Sequence, residues 1–172
     1  MALVGKKAPL FKASAVINGE EIVDNFSLEQ YIGKKHVVFF FYPKDFTFVC
    51  PTEITGFNKN IEKFNDEGAE VLGVSVDSEH SHKAWIESGL GKIKYPLASD
   101  LTKKVATDYG VLLDEGFALR GLFIIDPEGV VQYSVLHNTN VGRSTGEVLR
   151  VLKACKTKGL CPINWEDGEA TL

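Results

Sequence analysis

The chain has few cysteines, no long apolar run and no block of like charge, and each shortage closes off a class of function. Cys50, Cys155 and Cys161 are its only cysteines. They are too few, and odd in number, for the disulfide framework of a secreted protein. Where thiols are kept reduced, disulfides are usually transient and catalytic. No stretch approaches the length of a membrane span, and Met1-Ala2-Leu3-Val4-Gly5-Lys6-Lys7 lacks the apolar region of a signal peptide. A cytoplasmic location is therefore expected. The 19 basic and 23 acidic residues leave a net charge of −4 with no basic run, which argues against a nucleic-acid or membrane partner. Metal and nucleotide signatures are missing as well. His80 and His82 are two residues apart and cannot share a helical face, and Cys155 and Cys161 lack zinc spacing. Gly91-Lys92 lacks the earlier glycine of a P-loop.

What is present reads as an ordinary globular chain. Its 172 residues, 44% hydrophobic and 24% charged, suit one domain over 1–172, and no repeat, low-complexity segment or linker divides it. Asn18-Gly19 predicts a hairpin over 13–23, and Ser27 with Gln30 resembles a capping box. The apolar run 36–42 predicts a fully buried strand. Beyond it, Ile54, Phe57, Ile61 and Phe64 fall at i, i+3, i+7 and i+10, one face of a helix that Gly68 would stop. A second buried strand is expected over 71–76, a helix near 81–88, and a helix capped by Asp100 and ended by Gly110. Residues 122–125 and 130–136 flank a turn, Asp126-Pro127-Glu128-Gly129. Ser144 with Glu147 opens a last helix to about Lys158, leaving 159–172 as a C-terminal tail. This order predicts an α/β domain with a central mixed sheet flanked by helices and an N-terminal hairpin, a thioredoxin-like fold.

Cys50 is the residue with the most informative setting. It lies where the 36–42 strand gives way to a helix, with Pro51 suited to the first helical position. Unpaired N–H groups and the helix dipole favour an anion there, so the sulfur is a candidate nucleophile. Pro43 cannot continue a central strand and stiffens the start of the loop. Thr47 can direct its hydroxyl at the sulfur or at a bound oxygen. Glu53, in the first helical turn, can orient a basic residue arriving from elsewhere.

The string Pro43-x-x-x-Thr47-x-x-Cys50 resembles the active-site signature of peroxiredoxins. The wider segment from Phe41 to Glu53 resembles the typical two-cysteine class, alkyl hydroperoxide reductase C type. Val74-Ser75-Val76-Asp77-Ser78, His82-Lys83-Ala84-Trp85, Tyr95-Pro96-Leu97, Arg120-Gly121-Leu122-Phe123-Ile124-Ile125-Asp126 and Gly142-Arg143-Ser144 are similar to family segments in family order, as is Cys161-Pro162-x-x-Trp165 near the end. The resemblance implies a thiol peroxidase with Cys50 as peroxidatic nucleophile, reducing hydrogen peroxide and alkyl hydroperoxides through a sulfenic acid. Thr47 and the Cys50 N–H would hold the peroxide, Arg120 would supply positive charge, and Pro43 would shield the pocket. Glu53 and Arg143 would orient Arg120. Cys161 would be the resolving cysteine, forming an intersubunit disulfide that a dithiol reductant, thioredoxin or a flavoprotein disulfide reductase, then reopens. The resemblance also implies a homodimer assembling into a decamer ring, with no cofactor and no metal. Cys155 falls on the apolar face of the last helix and reads as core, with a rival resolving cysteine as the alternative.

One magnitude apportions the roles. An unperturbed thiol near pKa 8.5 is ~3% thiolate at pH 7, so complete ionisation raises the rate at most about thirtyfold, roughly 2 kcal/mol. Lower basicity also lowers nucleophilicity. Arg120 and Thr47 are therefore expected to act mainly on the O–O bond as it breaks. Two rival functions differ in class. A thioredoxin-type disulfide reductase needs a second thiol that Cys50-Pro51-Thr52-Glu53 does not offer. A ring-forming holdase chaperone, binding unfolded clients without turnover, would not need Cys50.

Overall fold

The computed structural model describes residues 2–172. Its strands are β1 (Lys12–Ile17), β2 (Glu21–Ser27), β3 (His36–Phe41), β4 (Ala69–Ser75), β5 (Leu97–Ser99), β6 (Arg120–Ile125) and β7 (Val131–His137). Its helices are α1 (Cys50–Lys59), α2 (Ile61–Asp66), α3 (Glu79–Trp85), α4 (Lys104–Asp108) and α5 (Thr145–Thr157). The strands form one mixed sheet in the order β2-β1-β5-β4-β3-β6-β7. The β3–β4 and β4–β5 pairs are parallel, and β6 lies antiparallel to β3.

β3 shows why this sheet needs two covers. Val38, Phe40 and Tyr42 join one buried cluster with Ile54, Phe57, Phe64, Val148 and Leu152 of α1, α2 and α5. Val37, Phe39 and Phe41 point the other way, into a cluster with Val105, Ala106 and Tyr109. Alternation with both faces apolar is the pattern of a central strand. The hairpin turns where Asn18 and Gly19 both adopt positive φ, 54° and 74°, the conformation such a turn demands.

Several boundaries differ from the sequence expectation. The helix after Cys50 is two helices broken at Asn60, whose side-chain amide bonds the Gly56 carbonyl while the apolar spacing continues across the break. Asp100 does cap α4, through the Val105 and Ala106 N–H groups at 3.0 and 2.7 Å, but residues 101–103 first make a turn, so the helix starts later. Helix α3 gives way to a π-helical turn, Ile86–Leu90. The three-residue β5 was not foreseen, since a strand that short behind Pro96 shows no period. Ser27 caps a 3-10 turn by accepting from the Glu29 N–H, and Gln30 donates to the Ser27 carbonyl, so the box is not reciprocal. Ser144 accepts from the Glu147 N–H at 3.2 Å and opens α5 as expected.

Candidate active site

β3 delivers the chain to a loop, residues 43–49, that a buried polar cluster holds down. Asp45 accepts from the Tyr42 hydroxyl at 2.9 Å and from the Ser81 hydroxyl at 2.8 Å, while its own N–H donates to Asp77. His82, fully buried, places Nδ1 2.7 Å from the Asp45 carboxylate and Nε2 3.0 Å from the Ala98 carbonyl. Both ring nitrogens are thus engaged, and the pair fixes the loop to α3 and β5. In the sequence His82 stands in a segment similar to the family's, His82-Lys83-Ala84-Trp85, with no role of its own. Nothing in a lone histidine marks it as a loop anchor.

Cys50 begins α1 with its residue fully buried, and no side chain caps this helix end. Glu53 lies three residues on, so both side chains share one helical face. Arg120 opens β6 two residues before Leu122, which pairs with Phe40, and so sits where β3 leaves the sheet. It shares the face of Leu122 and Ile124, the face that α1 covers. Its guanidinium is therefore directed into the corner between loop and helix.

The resulting contacts are short. Arg120 Nη1 is 3.3 Å from Cys50 Sγ and 2.8 Å from Glu53 Oε2, and Nε donates to the Thr139 carbonyl at 2.8 Å. Arg143 donates from its backbone N–H and from Nε to Glu53 Oε1, both at 2.8 Å, and from Nη2 to Oε2 at 2.9 Å. Its Nη1 reaches the Gly121 carbonyl at 2.7 Å. Gly121 is required where it stands, because a Cβ there would lie 2.7 Å from Val111 Cγ1. One carboxylate and two guanidiniums leave one positive charge in excess, which a thiolate at Cys50 would balance. Burial alone would raise the Glu53 carboxyl, but the Arg143 hydrogen bonds and charge, with Arg120, outweigh it and hold the carboxyl below its ordinary range.

A cavity of about 280 Å³ opens onto the sulfur, lined by Pro43, Lys44, Thr47, Phe48, Phe117 and Arg120 among others. Thr47 does not aim its proton at the sulfur. Its hydroxyl donates to the Lys44 carbonyl at 3.0 Å, which leaves the oxygen free to accept from a molecule in the cavity. The structure thus brings together Cys50, Thr47, Pro43, Arg120, Glu53 and Arg143.

Cys161 is not among them. It stands at the C-terminal end of α5, its sulfur 3.4 Å from the Thr157 hydroxyl, and all three thiols are free. Cys155 is half-buried rather than core, because it faces a second cavity, of about 370 Å³, beside His36 and Asp126. Lys44, Phe117 and the carbonyls of Gly121 and Thr139 went unrecognised in the sequence. Lys44 lies within the signature itself, but a backbone carbonyl leaves no trace in residue type.

Comparison with known proteins decides the family. The AhpC/TSA family profile matches residues 4–134. The chain belongs to the AhpC/TSA family. A putative peroxiredoxin of Clostridium pasteurianum is 54% identical, over 99% of this chain and 98% of that one. A chloroplastic 2-Cys peroxiredoxin of Hordeum vulgare is 52% identical, over 100% and 86%. Among solved structures, the reduced 2-Cys peroxiredoxin of Plasmodium vivax superposes with a TM-score of 0.96 at 42% identity, covering 99% of this chain and 93% of that one. Mycobacterium tuberculosis AhpC gives 0.87 at 36%, covering 96% and 99%. The fold is the thioredoxin-like fold of these peroxiredoxins. This AhpC/TSA protein is accordingly a thiol peroxidase, and among its described residues no helix is long and apolar enough to cross a membrane.

Proposed function

We propose that the protein reduces hydrogen peroxide and alkyl hydroperoxides with Cys50 as the attacking thiolate. The observation that carries this reading is the Arg120 guanidinium 3.3 Å from a buried sulfur at an uncapped helix start. The thiolate attacks the terminal peroxide oxygen, an S–O bond forms as the O–O bond breaks, and water or an alcohol leaves. Charge develops on the departing oxygen as the bond opens. Arg120 and the Cys50 N–H stabilise it, in the manner of an oxyanion hole. The Thr47 oxygen accepts the peroxide proton, because its own proton is already committed to Lys44. Pro43, with the aromatic ring of Phe117, keeps water from the cavity.

The sulfenic acid is resolved by Cys161 of a second subunit, with loss of water and formation of a disulfide. A disulfide needs Cα atoms within about 7 Å, so a sulfur buried at the start of α1 must emerge by unwinding of that turn. A dithiol reductant, thioredoxin or a flavoprotein disulfide reductase, then restores both thiols. The working unit is a homodimer, with a decamer ring as the larger assembly and the cytoplasm as the compartment. No feature of the site favours the client-holding alternative.

The test is peroxide consumption by the reduced protein alongside non-reducing electrophoresis. Cys50→Ser should consume none and form no linked dimer. Cys161→Ser should consume one equivalent and stay unlinked. A linked dimer persisting in Cys161→Ser would overturn the resolving assignment.

A further inference from the structure

The peroxidatic and resolving roles leave Cys155 unused, although it is close to the thiol proposed to resolve. The Cys161 sulfur lies 3.8 Å from the Ala154 carbonyl oxygen, the peptide oxygen next to Cys155. Standard backbone dimensions then put that sulfur within roughly 7 Å of the Cys155 Cα. Lys158 takes a left-handed conformation after α5, and Leu160 is 71% exposed. Cys155 itself faces a cavity of about 370 Å³ bounded by His36, Asp126, Gln132, Lys156 and Lys158. A second reactant can therefore approach it.

Resting on the resolving role of Cys161, we infer that Cys155 is a relay thiol, which attacks Cys161 in the intersubunit disulfide and moves the oxidised bond to a Cys155–Cys161 pair within one chain. The exchange balances without any outside reactant. The Cys155 thiolate forms an S–S bond to Cys161 Sγ, the Cys161–Cys50 bond breaks, and the electron pair leaves on Cys50. Cys155 is oxidised, Cys50 is reduced and leaves as the thiolate, and the proton given up by Cys155 passes to solvent. Two features set the direction. Only five residues separate Cys155 from Cys161, so the attack is intramolecular and the effective concentration is high. The leaving sulfur returns to the Arg120 guanidinium and the start of α1, which receive its charge. Burial first, then the nearby Cys161 and Asp126, raise the Cys155 thiol above its ordinary range. At rest it stays protonated, and peroxide passes it by.

The relay has a stoichiometric signature. It frees Cys50 while the chain still carries a disulfide, so a second peroxide can react before any reductant arrives. Fully reduced wild type and Cys155→Ala are given one peroxide equivalent without reductant, quenched with a maleimide at intervals, separated by non-reducing electrophoresis and mapped by mass spectrometry. In wild type the linked dimer should fade to monomer as a peptide joined through Cys155 and Cys161 accumulates; in Cys155→Ala the link should persist. Excess peroxide should be consumed at about twice the amount per subunit by wild type as by the variant. A wild-type linked dimer that stays constant, with no Cys155–Cys161 peptide, overturns the relay and leaves Cys161 as resolving cysteine. If neither protein forms a linked dimer and no Cys155–Cys161 peptide appears, the resolving role fails and the relay with it. Should Cys155→Ala fail to fold, the wild-type peptide map decides alone.

Discussion

The surroundings of Cys50 and those of Cys161 differ in almost every physical respect. Around Cys50 the charges are buried, no buried side-chain polar atom among the described residues lacks a partner, and two basic residues, one opening β6 and one from the turn before α5, converge on one carboxylate. Around Cys161 the partners are a threonine hydroxyl and a distant carbonyl, and Leu160 and Ile163 beside it are 71% and 90% exposed. The first arrangement suits a reaction that needs a fixed electrostatic field. The second suits a thiol that must travel. Trp165, buried and accepting at its carbonyl from Arg150, and Asp167, accepting from Lys153 at 2.8 Å, pin the tail to α5.

Disturbing the rigid side should give the larger effects. Glu53→Gln removes the charge that two buried guanidiniums share and should cost about 3–5 kcal/mol of stability, measurable by denaturant unfolding. The same variant should change the acid limb. Because the folded Glu53 carboxyl titrates below its ordinary 4.5, its contribution is complete above that pH and is lost as pH falls through the lowered folded value. Unfolding followed from pH 7 downward should therefore lose less stability in Glu53→Gln than in wild type; equal losses would remove Glu53 from the account. Arg120→Ala should lower the second-order rate with hydrogen peroxide by about 10²–10³-fold, the scale of losing an oxyanion donor. A fall within the thirtyfold that ionisation alone can supply would return Arg120 to a merely thiolate-stabilising role. Thr47→Val should cost about tenfold or more, with Thr47→Ser restoring the rate, because only the oxygen acceptor is needed. An unchanged rate in Thr47→Val would mean the hydroxyl serves only to bond Lys44.

Much of the rigid side was legible in the sequence, and for a physical reason. Cys50, Thr47 and Pro43 lie within eight consecutive positions, so local spacing fixes their relation. Glu53 follows from the helical repeat once α1 is recognised. Arg120 and Arg143 lie far along the chain, and only a resemblance could bring them to Cys50, since their meeting depends on the β3–β6 register and on the turn before α5. The anchoring role of His82 was hidden for a related reason: its partners, Asp45 and the Ala98 carbonyl, come from a loop and from a strand too short to show a period. The Asn60 break was hidden because the apolar spacing runs on through it. Cys155 read as core because a helical wheel shows which face a residue takes, but not that the neighbouring turn leaves a hollow against that face.

The interruption at Asn60 has a mechanical meaning. A single helix from Cys50 to Asp66 would transmit any fraying at its start along one hydrogen-bonded column. Two short helices with a joint between them confine the damage: α1 can lose its opening turn while α2 stays moored to the sheet by Ile61 and Phe64. In the proposed cycle, the opening turn comes apart and re-forms while the seam stops the tear.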